Sequence, residues 1–351
     1  MILSDLSPGE KGIITKVKGR GAFRKRILEM GFIAGKEVSV LQRAPLLDPV
    51  EYTIMGYNVS LRNSEASLIE IVSESEVRSQ PETNGNLSFN GSLLGYTARQ
   101  KGKVINVALV GNPNSGKTTI FNHASGSREH VGNYSGVTVD AKEARFRKGD
   151  YTFIVTDLPG TYSISAYSPE ELYVRDFITE AMPDVVVNII DSSNLERNLY
   201  LTTQLIDLDI KLVGVLNMYD EFTASGNTLN HEQLGHLLGF PFVTAVGSKG
   251  RGVDDMLQKI IDVYEDRETS LRHIHINYGG VIEQGISRIQ QLLRKPENRS
   301  LIDRISSRFM AIKLIEKDRA AEVFSEQFTN AAEINKAVDA EISRIETNMN
   351  Q

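Results

Sequence analysis

The chain has 351 residues, long for one typical domain, which predicts two or three. Its composition, 40% hydrophobic and 24% charged, is ordinarily globular, and its net charge of 39 − 45 = −6 argues against a general nucleic-acid-binding surface. With no cysteine, disulfides, Cys-ligated zinc and iron–sulfur clusters are all excluded.

The start, Met1-Ile2-Leu3-Ser4-Asp5, lacks the basic and apolar stretches of a signal peptide. No run of about 18 apolar residues is present, so no membrane span is expected. Along residues 1–73, the runs Gly12–Lys18, Lys36–Arg43, Val50–Met55 and Tyr57–Arg62 alternate apolar and polar residues, with a helical stretch at Ala22–Met30. They predict a small β-barrel with one helix. Residues 74–101 are polar and aperiodic and read as a flexible linker. From Lys103 onward, strand-like runs at Val104–Val110, Tyr151–Thr156, Val185–Ile190, Lys211–Leu216 and Phe242–Val246 alternate with helical patterns, predicting a mostly parallel α/β domain over 102–267. Val281–Leu293, Ser300–Ile315 and Ala332–Thr347 carry helical spacing, so 268–351 is expected to be an α-helical domain.

The chemistry is concentrated in the central domain. Gly111-Asn112-Pro113-Asn114-Ser115-Gly116-Lys117-Thr118 fits G-x-x-x-x-G-K-[ST], after a strand and before the helix-like Thr119–Ala124, as a P-loop requires. Its glycines let backbone N–H groups surround phosphate oxygens; Lys117 is expected to reach the β- and γ-phosphates and Thr118 to ligate Mg²⁺. Asp157-Leu158-Pro159-Gly160 closes the next strand, placing a second Mg²⁺-side oxygen at Asp157 and a γ-phosphate N–H at Gly160. Thr138, in a Gly- and Ser-rich stretch between them, is a candidate to complete the Mg²⁺ shell when its loop closes on GTP.

Asn217-Met218-Tyr219-Asp220 ends the strand Lys211–Leu216 and resembles the Asn-Lys-x-Asp base-reading pattern, with Met218 in place of Lys. The Asp220 carboxylate is expected to accept from the two N–H donors on guanine's edge, selecting GTP over ATP. Gly247 and Ser248, in Val246–Gly252, are placed in the last base-binding loop, which departs from the common Ser-Ala-Lys form and is expected to hold the base loosely.

The P-loop with Thr119, the stretch Val131–Val139, Asp157–Ser163 and Asp191–Tyr200 closely resemble FeoB, the bacterial ferrous-iron transporter family with a cytosolic G domain; Asn-Met-x-Asp is also typical of it. Residues 1–73 resemble FeoA, a small SH3-like partner, through Leu6–Glu10, Glu29–Gly35, Ala44–Val50 and Gly56–Arg62. The resemblance implies a multidomain chain: an SH3-like β-barrel, a P-loop α/β GTPase domain and a helical regulatory domain. It further implies a GTPase controlling Fe²⁺ uptake on the cytoplasmic face of the bacterial inner membrane. The chain is then expected to be the cytosolic part of a longer protein, partnered by a FeoB-type transmembrane domain, with the FeoA-like domain docking on the G domain within one chain. No nucleic-acid partner is expected, and a homo-oligomer is left open.

Thr161 follows Gly160 where Ras-like enzymes place a water-orienting Gln, so hydrolysis is expected to be slow. In FeoB-like GTPases a P-loop Asn coordinates K⁺; Asn114 matches it, implying K⁺ as activator. Two rivals stay open: a soluble ribosome- or tRNA-associated GTPase, and a GDP-binding scaffold with negligible turnover.

Other clusters have plainer readings. His231 and His236, at i and i+5, point about 140° apart on a helix and share no face. His273-Ile274-His275 reads as a connecting strand without a third metal ligand. Glu170-Glu171 should start a helix after Pro169. The basic cluster Arg20, Arg24, Lys25 and Arg26 reads as a solvated helix face, or else as a docking surface for the acidic G domain or anionic lipid.

Overall fold

The computed structural model describes residues 1–19, 21–45, 47–73, 76, 92–126, 141–165, 168–268, 274–303 and 305–349. The chain divides into two compact units, Met1–Val104 and Ile105–Gln351.

In the first unit β1 (Lys11–Val17), β2 (Glu37–Arg43), β3 (Val50–Ile54), β4 (Tyr57–Leu61) and β5 (Ile69–Ser73) form an antiparallel sheet in the order β4-β3-β2-β1-β5. The alternation seen in the sequence is the burial pattern: Val50, Tyr52 and Ile54 of β3 face inward, and Glu51 and Thr53 are half-buried. Burial pushes the Tyr52 hydroxyl up to about 12. Met55 and Gly56 both take positive φ, which a two-residue hairpin between twisted strands demands. The helix Gly21–Glu29 lays Phe23 and Ile27 onto this core. Its Arg26 pairs with the carboxylate of Glu65, itself only 3% exposed, so Arg26 is part of the barrel's own structure and not of a free basic surface. Arg20 lies outside the described residues.

The linker expectation fails over its second half. Ser92–Gly102 is a helix packed against β1 and β5, with Ala98 buried and Leu94 half-buried one turn before it. One narrow apolar stripe suffices because the other face is solvated, so the stretch reads as polar overall.

In the second unit β6 (Val104–Gly111), β7 (Lys142–Lys148), β8 (Tyr151–Asp157), β9 (Val185–Asp191), β10 (Leu212–Asn217) and β11 (Phe242–Thr244) form one sheet, ordered β11-β10-β9-β6-β8-β7. The strands from β11 to β6 pair in parallel, and β7 pairs antiparallel to β8. Both faces are covered. Val107 and Leu109 pack into one core with Phe121, Phe153, Val187, Val215 and Ile260. Ala108 and Val110 point into the other with Val186, Ile190, Leu201, Leu205 and Leu216. Near-continuous apolar strands follow from this two-sided burial. As expected, a helix starts at Pro169; Ser168 Oγ accepts from Glu171 N at 3.2 Å. Ser168→Ala is expected to cost about 1 kcal/mol, read as a lowered thermal midpoint.

Beyond the sheet lie the helices Gly280–Leu293, Arg299–Ile302, Ser307–Ile315, Arg319–Ser325 and Ala331–Met349. The single helix expected over Ser300–Ile315 is two, because the Ser306 hydroxyl accepts from Phe309 N at 3.3 Å and caps a new start. Ile286, Ile289, Met310, Leu314, Ile334, Val338 and Ile342 make this bundle's core. The bundle is joined to the sheet by Phe309, which enters the second sheet core, and by buried ions. Arg308 Nε meets Asp207 Oδ1 at 3.2 Å and its Nη2 meets Glu283 Oε1 at 2.7 Å. Tyr278 OH donates to Asp207 Oδ2 at 2.6 Å, and Arg175 pairs with Asp318 at 3.2 Å. No described helix is long and apolar enough to cross a membrane.

Candidate nucleotide site

The parallel strands end at one edge of the sheet, and the motif residues sit there because each closes a strand: Gly111 on β6, Asp157 on β8, Asp191 on β9 and Asn217 on β10. Gly111 admits no side chain: a Cβ would stand 2.4 Å from the Ile189 carbonyl oxygen. Gly116 has φ +81°, and a Cβ there would meet the Asn217 amide at 2.2 Å. From Lys117 the chain turns into the helix Lys117–Ser125, so Lys117, Thr118 and Thr119 form its first turn, where backbone N–H groups lack intrahelical partners.

Lys117 and Asp157 are both buried, and the ammonium is against Asp157 Oδ1. Thr118 Oγ1 donates to Asp157 Oδ2 at 2.8 Å. An ammonium, a hydroxyl and a carboxylate thus converge at the mouth of a helix. The loop after Asp157 is stitched to the P-loop: Leu158 N donates to Leu109 O at 3.2 Å and Thr161 N to Gly111 O at 3.1 Å. Gly160 lies so close to Pro113 that a Cβ would come within 2.9 Å of its Cα. The Thr161 hydroxyl is buried and donates to Ser163 O at 2.5 Å, so it is committed to its own loop. Asn112 is buried and donates to Arg197 O at 3.5 Å; among the described residues neither its Oδ1 nor the buried Ser115 hydroxyl has a hydrogen-bond partner. Asn114 takes φ +65° and is exposed, its amide making no hydrogen bond among the described residues.

Asn217 is 2% exposed and joins two loops: its Nδ2 donates to Ser115 O at 2.8 Å and its Oδ1 accepts from Gly247 N at 2.8 Å. Met218 takes φ +55° and starts the short helix Tyr219–Ala224, which leaves Asp220 at the surface. The hydrogen bond from Lys249 Nζ, 2.7 Å from Asp220 Oδ2, holds the carboxyl below the usual carboxylate range. Ser248 is exposed in the turn Gly247–Lys249. Thr138 lies outside the described residues.

Several participants escaped sequence reasoning. Gln204 Oε1 accepts from Ile164 N at 2.7 Å, bracing the loop after Asp157 from the helix Leu195–Asp207. The Arg197 guanidinium stacks 4.0 Å over the Tyr162 ring. Asp191 is half-buried, which raises its pKa, but hydrogen bonds from Ser193 and Asn194 outweigh this and lower it. Asp191 and Arg197 carried a signal through the Asp191–Tyr200 stretch and Tyr162 through Asp157–Ser163; Gln204 carried none. His231 and His236 both lie on the helix His231–Leu238, and among the described residues no group of three or more His, Asp and Glu is placed to hold a metal ion. Ile274 and His275 are in no strand, contrary to expectation, and His273 lies outside the described residues.

The chain is similar to known proteins in each of its parts. The family model Ferrous iron transport protein B matches residues 105–260, FeoA domain matches 1–73, and FeoB cytosolic helical domain matches 278–351. An Fe(2+) transport protein A/Fe(2+) transporter FeoB fusion protein of Porphyromonas gingivalis is 47% identical over 91% of this chain, and the chain spans 40% of its length. An S. thermophilus NFeoB mutant bound to mGDP superposes with TM-score 0.62 at 35% identity, covering 71% of this chain and 91% of that one. NFeoB from S. thermophilus bound to GDP·AlF4⁻ and K⁺ gives TM-score 0.59 at 36% identity, over 70% of this chain and 92% of that one.

Proposed function

Because the chain belongs to the FeoB family, as a FeoA domain joined to a FeoB GTPase domain and helical domain, we propose that it hydrolyses GTP slowly, with K⁺ stimulation, and so regulates Fe²⁺ uptake by a membrane domain outside this sequence. The observation carrying this reading is the convergence of Lys117 and Thr118 on Asp157. Lys117 reaches the β- and γ-phosphates, and backbone N–H groups within Gly111–Thr119, Pro113 excepted, cradle them. Thr118 and Asp157 offer hard oxygen donors 2.8 Å apart, which suits Mg²⁺, with Thr138 as a further ligand. Mg²⁺ held by these oxygens would supply positive charge to offset that of the phosphates. Gly160 N–H faces the γ-phosphate. Asn217 fixes the base loop containing Gly247 and Ser248, and Asp220 accepts from the guanine edge. Met218 removes charge beside the base but leaves that acceptor in place.

The committed Thr161 hydroxyl cannot orient water as a Gln does, so basal hydrolysis is slow. The Asn114 amide makes no hydrogen bond among the described residues, and at the P-loop's tip it would hold K⁺, which would supply the positive charge that an arginine supplies in other GTPases. The S. thermophilus complex with K⁺ supports this assignment.

The test is GTP turnover in KCl against NaCl, with ATP and Asp220→Asn as controls. Turnover at least about tenfold faster in K⁺ is expected, below the 10³–10⁵ of an arginine finger. GTP should be preferred over ATP, and the preference weakened by Asp220→Asn. Equal rates in the two salts would move Asn114 to a purely structural role.

A further inference from the structure

The base-reading strand end lacks the cation that its pattern usually carries, since position 218 is Met. A cation arrives from elsewhere. Lys249, 29 residues beyond Asp220, places its ammonium 2.7 Å from Asp220 Oδ2. The backbone presenting it is fixed on several sides. Gly247 N donates to Asn217 Oδ1 at 2.8 Å, Lys249 N to Val246 O at 2.9 Å and Gly250 N to Gly247 O at 3.1 Å. The turn is closed by a bridge between Val246 and Arg251. Gly252, at φ +81°, brings the chain so near Thr244 that a Cβ would lie 2.2 Å from its carbonyl oxygen. Lys249 therefore springs from a frame keyed to Asn217, three residues before its target.

Asp220 is held at both oxygens, since Oδ1 accepts from Glu221 N at 3.2 Å. Each carboxylate oxygen has two acceptor positions, so these contacts orient the group and leave one position on each for a ligand. A carboxylate free to rotate presents that pair only part of the time; one held in place presents it always.

We propose that Lys249 is a positioning residue for guanine selectivity, fixing the Asp220 carboxylate so that it accepts from N1–H and the 2-amino group of the base together. This rests on the reading of Asp220 as the guanine acceptor. The side chains of Lys249 and Asp220 are 55% and 38% exposed, so the effect is that of a solvated ion pair, about two- to fivefold, fading as salt is added.

The experiment measures dissociation constants of the full chain for GDP, IDP and XDP, at low and moderate salt. IDP lacks the 2-amino group; XDP carries a carbonyl there. Lys249→Met is expected to lower the GDP-over-IDP preference about two- to fivefold at low salt, Lys249→Arg to restore it, and Lys249→Met to change the preference no further in an Asp220→Asn background. Weakening of all three nucleotides by one common factor would make Lys249 a loop support only and overturn the proposal, as would an unchanged GDP-over-IDP ratio. Asp220→Asn separates this from the underlying reading. A shift of preference from GDP toward XDP upholds Asp220 as the acceptor whatever Lys249 does; retained GDP preference overturns both.

Discussion

Alanine at Lys117 is expected to lower GTP turnover by about 10²- to 10³-fold, the usual consequence of removing one preorganised donor from developing transition-state charge. The side chain is 8% exposed and its ammonium lies against Asp157, so the charge is held inside the proposed phosphate site. Arginine should not rescue it, because a planar guanidinium does not fit where a compact ammonium is enclosed. Loss of Lys117 also leaves Asp157 without its ion-pair partner at 5% exposure, so the Thr118 contact carries more of the load. Single-turnover hydrolysis, fluorescent GDP binding and thermal unfolding on the same sample decide it. Turnover within threefold of wild type, in a folded variant, would remove Lys117 from the phosphate site.

Arg308→Ala should destabilise the second unit by about 3–5 kcal/mol, since it strands a buried carboxylate. Asp207 is 2% exposed, and of the two side chains bonded to it among the described residues the substitution leaves Tyr278. Glu283 loses two donors at once, at 2.7 and 2.9 Å, and the Ile276 carbonyl loses one at 2.5 Å. For a unit of this size the thermal midpoint should drop by roughly 10 °C. A drop under about 2 °C would mean that water replaces the guanidinium without penalty. The pH dependence has two parts of opposite sign. The Arg308 hydrogen bond lowers Glu283 from 4.5, so its stabilisation is complete above 4.5 and disappears as pH falls through the lower folded value. Burial raises Asp207 above 3.8, outweighing its bonds to Tyr278 and Arg308, so that group disfavours folding at neutral pH and is relieved on acidification. Both changes make Arg308 matter less in acid, and the gap between wild type and Arg308→Ala should narrow below pH 4.5.

What could be read from the sequence was what a linear pattern encodes. The P-loop, Asp157-x-x-Gly160 and the Asn217–Asp220 stretch are contiguous, and each falls where a strand ends. Elements with weak local patterns were missed. The strand β7, Lys-Glu-Ala-Arg-Phe-Arg-Lys, is mostly charged because it is an edge; only Ala144 is buried, and Phe146 stacks on Phe153 at 5.4 Å. The helix Ser92–Gly102 was hidden by its solvated face. Contacts made by folding alone, such as Gln204 to Ile164 and Lys249 to Asp220, leave no mark in spacing, since 40 and 29 residues separate the partners.

The amide of Asn217 reaches the P-loop through Ser115 with one atom and the base loop through Gly247 with the other. On the proposed reading, the loops for the two ends of a nucleotide are thus tied to each other through one buried side chain. The distance between phosphate and base grips is set when the protein folds, so a ligand of the right length engages both without the protein having to bring them together. A bound nucleotide therefore gains the second grip at the cost of its own flexibility alone. On the proposed reading, a motion that pulled Gly247 away from Asn217 would uncouple the base loop from the P-loop while leaving the Asn217–Ser115 bond in place.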